Sequence, residues 1–199
     1  MDTYNFQSIE KNKISTGDLC FVRGKTYLAE QIRKAQRQRG IKNWQLNHVG
    51  WFIWINGILC VAEEDYPGIF DINCFDDEYV KTNTEVYVGK IKNNRVSQKM
   101  ITKLTQYSIT ESSEDRLFDY GFGDILAFKF NSWMWKWFKW DVWIGRKKNK
   151  KDKYTCSQRV AKYLQKFHHL MEDKDYLKVY PGEIADQPFI KLYRIEKST

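Results

Sequence analysis

The sequence predicts an α+β fold in which an antiparallel sheet packs against helices, and three observations carry that prediction. Strand-like segments mostly follow one another, helical spacing of apolar residues recurs in separate segments, and Asn56-Gly57 stands between two β-rich runs as a hairpin turn. With 199 residues, 42% apolar and 16% aromatic, the chain can bury one core and is too short for two full domains, so residues 1–199 are read as one domain. No Ser- or Pro-rich tract marks a linker, and no internal repeat is found.

Asp18 to Val22 reads as a short strand after the turn residues Thr16-Gly17. Residues 26–37 have helical composition, with Thr26 placed to cap the helix. Leu46 to Ile55 is aromatic and β-branched, and Asn56-Gly57 returns the chain into a second strand, Ile58 to Glu63, which pairs antiparallel with the first. Glu85 to Ile91 is a further strand. Val96, Met100, Leu104 and Tyr107 then mark one helical face. Asp124 to Phe130 reads as a short strand or buried segment. From Cys156 the apolar positions Val160, Leu164, Phe167 and Met171 keep helical spacing, which puts Cys156 in the first turn of a helix of about four turns. Phe189 to Ile195 suits a closing strand.

Composition narrows the functional classes. Residues 1–13 are polar and lack the basic start and apolar run of a secretory signal, so the chain is expected in the cytoplasm. The longest apolar stretch, Val49 to Ala62, is broken by Asn56-Gly57 and falls short of the roughly 20 residues that span a bilayer. Cys20, Cys60, Cys74 and Cys156 are widely spaced and only three histidines accompany them, which favours neither a zinc site nor a disulfide framework. No metal or organic cofactor is expected. The net charge of +8 is concentrated in Arg146, Lys147, Lys148, Lys150, Lys151 and Lys153, a cluster suited to a solvated loop or to contact with an anionic surface such as nucleic acid or membrane. Just before it, residues 133–143 hold five tryptophans among lysines, which suits core packing, a membrane interface, a stacking platform for bases or sugars, or a lid over an apolar groove.

Two features converge on nucleophilic chemistry. A thiol at a helix N-terminus faces the positive end of the macrodipole, which favours the attacking thiolate, and the N–H groups there can receive an oxyanion. Cys156 has that position. His48 is the only histidine in a strand pattern, and a two-residue hairpin at Asn56-Gly57 brings Glu63, Glu64 and Asp65 beside it, any of which can orient the imidazole. His168 and His169 lie three or more turns from Cys156 along its helix, cannot reach the thiol, and are expected to act as partial positive charges at the helix C-terminus. Cys20, Cys60 and Cys74 are read as core or near-core residues.

Four segments in this order carry a resemblance: Gly17-Asp18-Leu19-Cys20-Phe21-Val22-Arg23-Gly24, Asn47-His48-Val49-Gly50, Val61-Ala62-Glu63 with Gly68-Ile69, and Tyr154-Thr155-Cys156-Ser157-Gln158-Arg159-Val160-Ala161. Together with Pro181 to Ala185 they resemble the permuted NlpC/P60 papain-like family, which includes the YiiX-like and lecithin retinol acyltransferase-like proteins. The resemblance implies a circularly permuted papain-like fold with the nucleophile helix in the C-terminal third. It implies Cys156 as nucleophile, His48 as base and Glu63 as the acid that orients His48. Gln158 stands where relatives are often acidic, a change of small consequence if its side chain faces solvent. The activity so implied is that of a cysteine peptidase or amidase acting through an acyl-enzyme. The alternatives are a lipid acyltransferase or thioesterase on the same fold, or a binding protein for nucleic acid or a membrane surface in which Cys156 and His48 do no chemistry.

Overall fold

Asn56 and Gly57 both adopt positive φ, 50° and 78°, the geometry a two-residue hairpin needs to match the twist of its strands. They join β3 (His48–Ile55) to β4 (Ile58–Asp65). The computed structural model describes residues 6–65, 69–92, 98–113 and 155–196. Around the hairpin, in chain order, lie β1 (Gln7–Ile9), β2 (Leu19–Arg23), α1 (Tyr27–Gln38), β5 (Ile69–Cys74), a π-helical turn (Asp76–Val80), β6 (Glu85–Ile91) and α2 (Gln98–Ser113). They are followed by α3 (Cys156–His168), α4 (Pro181–Ala185) and β7 (Ile190–Ile195). The seven strands form one sheet in the order β1-β7-β6-β2-β3-β4-β5, antiparallel throughout except for the parallel pair β1–β7.

Strand alternation divides the core into two layers. Leu19, Phe21, Val49, Trp51, Ile53 and Ala62 face α3, where Val160, Tyr163 and Leu164 meet them. Cys20, Val22, Phe52, Val61, Val86 and Val88 face the other way, onto Phe75 and Tyr79 of the π-helical region. Trp51 anchors the first layer: its ring stacks on Tyr163 at 5.0 Å, and its Nε1–H donates to the buried Ser108 hydroxyl at 3.1 Å.

The α+β reading therefore stands, with β1, β5 and the π-helical turn added to it. α1 begins where expected, with the Thr26 hydroxyl accepting the Ala29 N–H at 3.2 Å. The helix after Cys156 ends earlier than its apolar spacing predicts. His169 turns left-handed at φ 54° and Met171 lies beyond the helix at φ 60°, where its side chain is nevertheless buried. Among the described residues no helix is long and apolar enough to cross a membrane. Val96, Asp124 to Phe130, the tryptophan-rich 133–143, the basic cluster at 146–153 and Tyr154 lie outside the described residues.

Candidate active site

Cys156 is the first residue of α3, and the helix start is locked by a reciprocal cap. The Thr155 hydroxyl accepts from the Gln158 N–H at 3.4 Å, and Gln158 Oε1 accepts the Thr155 N–H at 2.9 Å. Gln158 does not face solvent. It is buried, and its Nε2 donates to the Leu177 carbonyl at 2.7 Å, while the Ser157 hydroxyl donates to the Val179 carbonyl at 2.7 Å. These bonds pin the first turn of α3 against residues 177–179, so the thiol's direction is set by four tethers of its neighbours. At this position the Cys156 and Ser157 N–H groups have no acceptor within their own helix.

His48 opens β3, paired with Val22 of β2. Its Nε2 lies 2.6 Å from Glu63 Oε2, leaving Nδ1 as the ring nitrogen available to the thiol. Glu63 is buried and receives two further donors, Asn73 Nδ2 on Oε1 at 3.1 Å and the Tyr79 hydroxyl on Oε2. Burial alone would raise the Glu63 pKa. The hydrogen bond and charge of His48, with the Tyr79 and Asn73 bonds, outweigh it and hold the carboxyl below its ordinary value. His48 shows the mirror image. Burial lowers its pKa, but the charge and hydrogen bond of Cys156, then those of Glu63, carry it well above the usual 6.5. The net effect favours the cationic form of the ring.

Among the acids that hairpin register brings near His48, Glu63 meets it. Glu64, next along β4, turns to the opposite face and accepts a 2.8 Å bond from Arg159 Nε, a pair whose side chains are 0% and 3% exposed. Asp65 closes β4 opposite Ile69. Cys20 and Cys60 are buried and Cys74 is half-buried, in keeping with core and near-core positions. Burial, then the charge of Glu63, pushes the Cys20 thiol well up, so it stays protonated.

One of the two later histidines needs correction. His168 is not a positive charge at the end of α3: burial pushes its pKa down to about 4, and its neutral ring bonds the Tyr163 hydroxyl at 2.6 Å. His169 is the left-handed cap, exposed, with Glu172 at 3.1 Å.

Asn73, Tyr79 and Arg159 escaped the sequence reading as site residues. Asn73 has a signal in retrospect, since Phe70 and Ile72 alternate with Asp71 and Asn73 along β5. Tyr79 has none, because a π-helical turn leaves no periodic trace.

A cavity of about 280 Å³ opens at Cys156 and His48, walled on one side by Val22, Leu28, Ala29 and Ile32. Leu28 and Ile32 are one helical turn apart on α1 and remain half-buried. Among the described residues no three His, Cys, Asp or Glu side chains gather as a metal site.

No family model matches this chain, and no curated protein matches it by sequence. The architecture defines it as an α+β protein with a seven-stranded, mostly antiparallel sheet. Among solved structures it is similar in fold to the metalloprotein yiiX from Escherichia coli O157:H7, DUF1105, with a TM-score of 0.50 and 14% identity over 94% of this chain and 99% of that one. YiiX-like proteins belong to the group that the sequence segments resemble, and fold and resemblance agree on that point.

Proposed function

We propose that this chain is a thiol-dependent hydrolase of the permuted papain-like type, cleaving peptide or amide bonds through an acyl-enzyme on Cys156. One observation carries the reading: a thiol at the capped start of a helix interacts with an imidazole whose other nitrogen is held at 2.6 Å by a buried, triply bonded carboxylate. The chain order, histidine and acid first and cysteine helix last, supports the permuted arrangement.

His48 accepts the Cys156 proton and the thiolate adds to the carbonyl carbon, moving the π pair onto oxygen. The intermediate collapses as His48 returns the proton to the leaving nitrogen, which departs as an amine and leaves a thioester on Cys156. Water, deprotonated by His48, adds to the thioester, and expulsion of the thiolate releases the acid. Glu63 holds the ring in orientation and stabilises its cationic form. yiiX is described as a metalloprotein; no step here runs through a metal.

The half-buried Leu28 and Ile32 favour an apolar acyl portion in the substrate, and that wall serves a lipid ester or thioester as well as an apolar peptide residue. The test is alkylation by an iodoacetamide probe with peptide mapping, comparing wild type with His48→Ala. Fast labelling at Cys156, slowed at least tenfold without His48, supports the reading. Labelling of Cys156 no faster than that of Cys74, or indifferent to His48, leaves the chain as a binding protein, whose affinity for anionic ligands would then fall steeply with salt.

A further inference from the structure

Asn47 precedes His48, and its side chain is 6% exposed. Its N–H donates to the Val22 carbonyl at 3.0 Å, and its Oδ1 accepts the Gly24 N–H at 2.8 Å. A backbone N–H can only donate, so the carbonyl end of the carboxamide must face Gly24 and the NH₂ end must face elsewhere. That end has no hydrogen-bond partner among the described residues. Asn47 lines the same cavity as Cys156 and His48. A carboxamide anchored at its acceptor in this way presents its NH₂ end as a fixed donor for a ligand in the cavity.

The start of α3 supplies the second half of such a ligand site. The Thr155 N–H is taken by Gln158, the Gln158 N–H by Thr155, and the Arg159 N–H by the Thr155 carbonyl. The Cys156 and Ser157 N–H groups remain. An oxygen bonded to a carbon under attack by Cys156 would lie beside them, in the cavity that Asn47 also lines.

We infer that Asn47 is a catalytic residue: its Nδ2 hydrogens, with the Cys156 N–H, bind the oxyanion formed when the Cys156 thiolate adds to a substrate carbonyl. This assignment rests on the hydrolase reading above. In the step concerned the S–C bond forms, the carbonyl π pair moves to oxygen, and the proton remains on His48 until the leaving group takes it. Asn47 moves no proton. Its donor stabilises charge that exists only in the transition state and intermediate, which is where such a donor accelerates the reaction.

The experiment compares two reactions of the same thiol in the intact chain. Acylation by p-nitrophenyl acetate, followed by nitrophenolate release and by the mass of acetylated Cys156, passes through an oxyanion. Alkylation by iodoacetamide, a displacement at saturated carbon, does not. Asn47→Asp keeps the acceptor for Gly24 and removes the donor, and Asn47→Ala removes both; thermal melting verifies that each variant folds. The expected result is acylation slowed about 100-fold or more in both variants, with alkylation within about threefold of wild type. Asn47→Asp carries the test alone if Asn47→Ala fails to fold, and its alkylation rate reports any effect of the added charge on the thiol. Acylation as fast as wild type, or both reactions falling together, overturns the assignment. Wild-type alkylation of Cys156 that ignores His48 would instead sink the hydrolase reading, so the two failures are told apart.

Discussion

Glu63 Oε2 lies 2.6 Å from His48 Nε2 although the two residues are not opposite one another in the hairpin. The β3–β4 ladder runs from Ile55–Ile58 to Trp51–Ala62, and the next position sets Glu63 across from Gly50. The pair is therefore diagonal, and it forms over the one residue between them that has no side chain. A Cβ on Gly50 would stand 2.6 Å from the Ala62 carbonyl oxygen and 2.9 Å from Glu63 Cβ, contacts that backbone cannot yield without moving the strand.

Gly50→Ala is accordingly expected to destabilise the fold by about 2–3 kcal/mol, as overpacking against backbone does, and to abolish the His48-dependent reactivity of Cys156. Urea unfolding and the alkylation assay read the two effects. A Gly50→Ala protein of wild-type stability and reactivity would mean that the close approach at Gly50 does not set the His48–Glu63 geometry.

The buried Arg159–Glu64 pair links the two halves of the site. Arg159 lies about one turn beyond Cys156 on α3, and Glu64 is the neighbour of Glu63 on β4. The guanidinium also donates to the Tyr107 hydroxyl at 3.3 Å and lies 5.0 Å over the Phe70 ring. Arg159→Met strands a buried carboxylate and should cost about 3–5 kcal/mol; adding Glu64→Leu removes that charge and should recover most of the loss. Urea unfolding of the single and double variants decides it: a single variant within about 1 kcal/mol of wild type would refute the role of the pair.

How much of this was legible in the sequence follows from which residues carry periodic or turn information. Cys156 at a helix start can be read from the spacing of Val160, Leu164 and Phe167, and the β3–β4 hairpin from Asn56-Gly57, because both patterns reflect one-sided burial. The choice among Glu63, Glu64 and Asp65 cannot be made from residue types, since it depends on which face each side chain leaves from, and one register step exchanges the faces. Tyr79 reaches Glu63 from a π-helical turn, and Gln158 is buried because residues 177–179 happen to fold over it. Such contacts between segments distant in sequence leave no local signature. His168 misled for the same reason: its place late in a helix suggests a charge, while its burial beside Tyr163 keeps it neutral.

That burial has a measurable consequence with a definite sign. The folded-state pKa of His168, about 4, lies below its ordinary 6.5, so the neutral ring favours the folded state above pH 6.5 and this contribution is lost as pH falls from 6.5 toward 4. Glu63, whose pKa is lowered, keeps its contribution until pH falls below its ordinary 4.5, and His48, whose pKa is raised, loses its contribution on the alkaline side instead. The three windows separate. His168→Gln keeps a donor for the Tyr163 hydroxyl and cannot be protonated, so relative to wild type it should gain about 1–2 kcal/mol between pH 6.5 and 4.5, a figure reduced for the ring's partial exposure. Urea midpoints for both proteins at half-unit pH steps give the difference directly. Parallel curves would show that His168 titrates normally in the folded chain, and a crossing near pH 6 would show that the neutral ring, bonded to Tyr163, is what the fold requires.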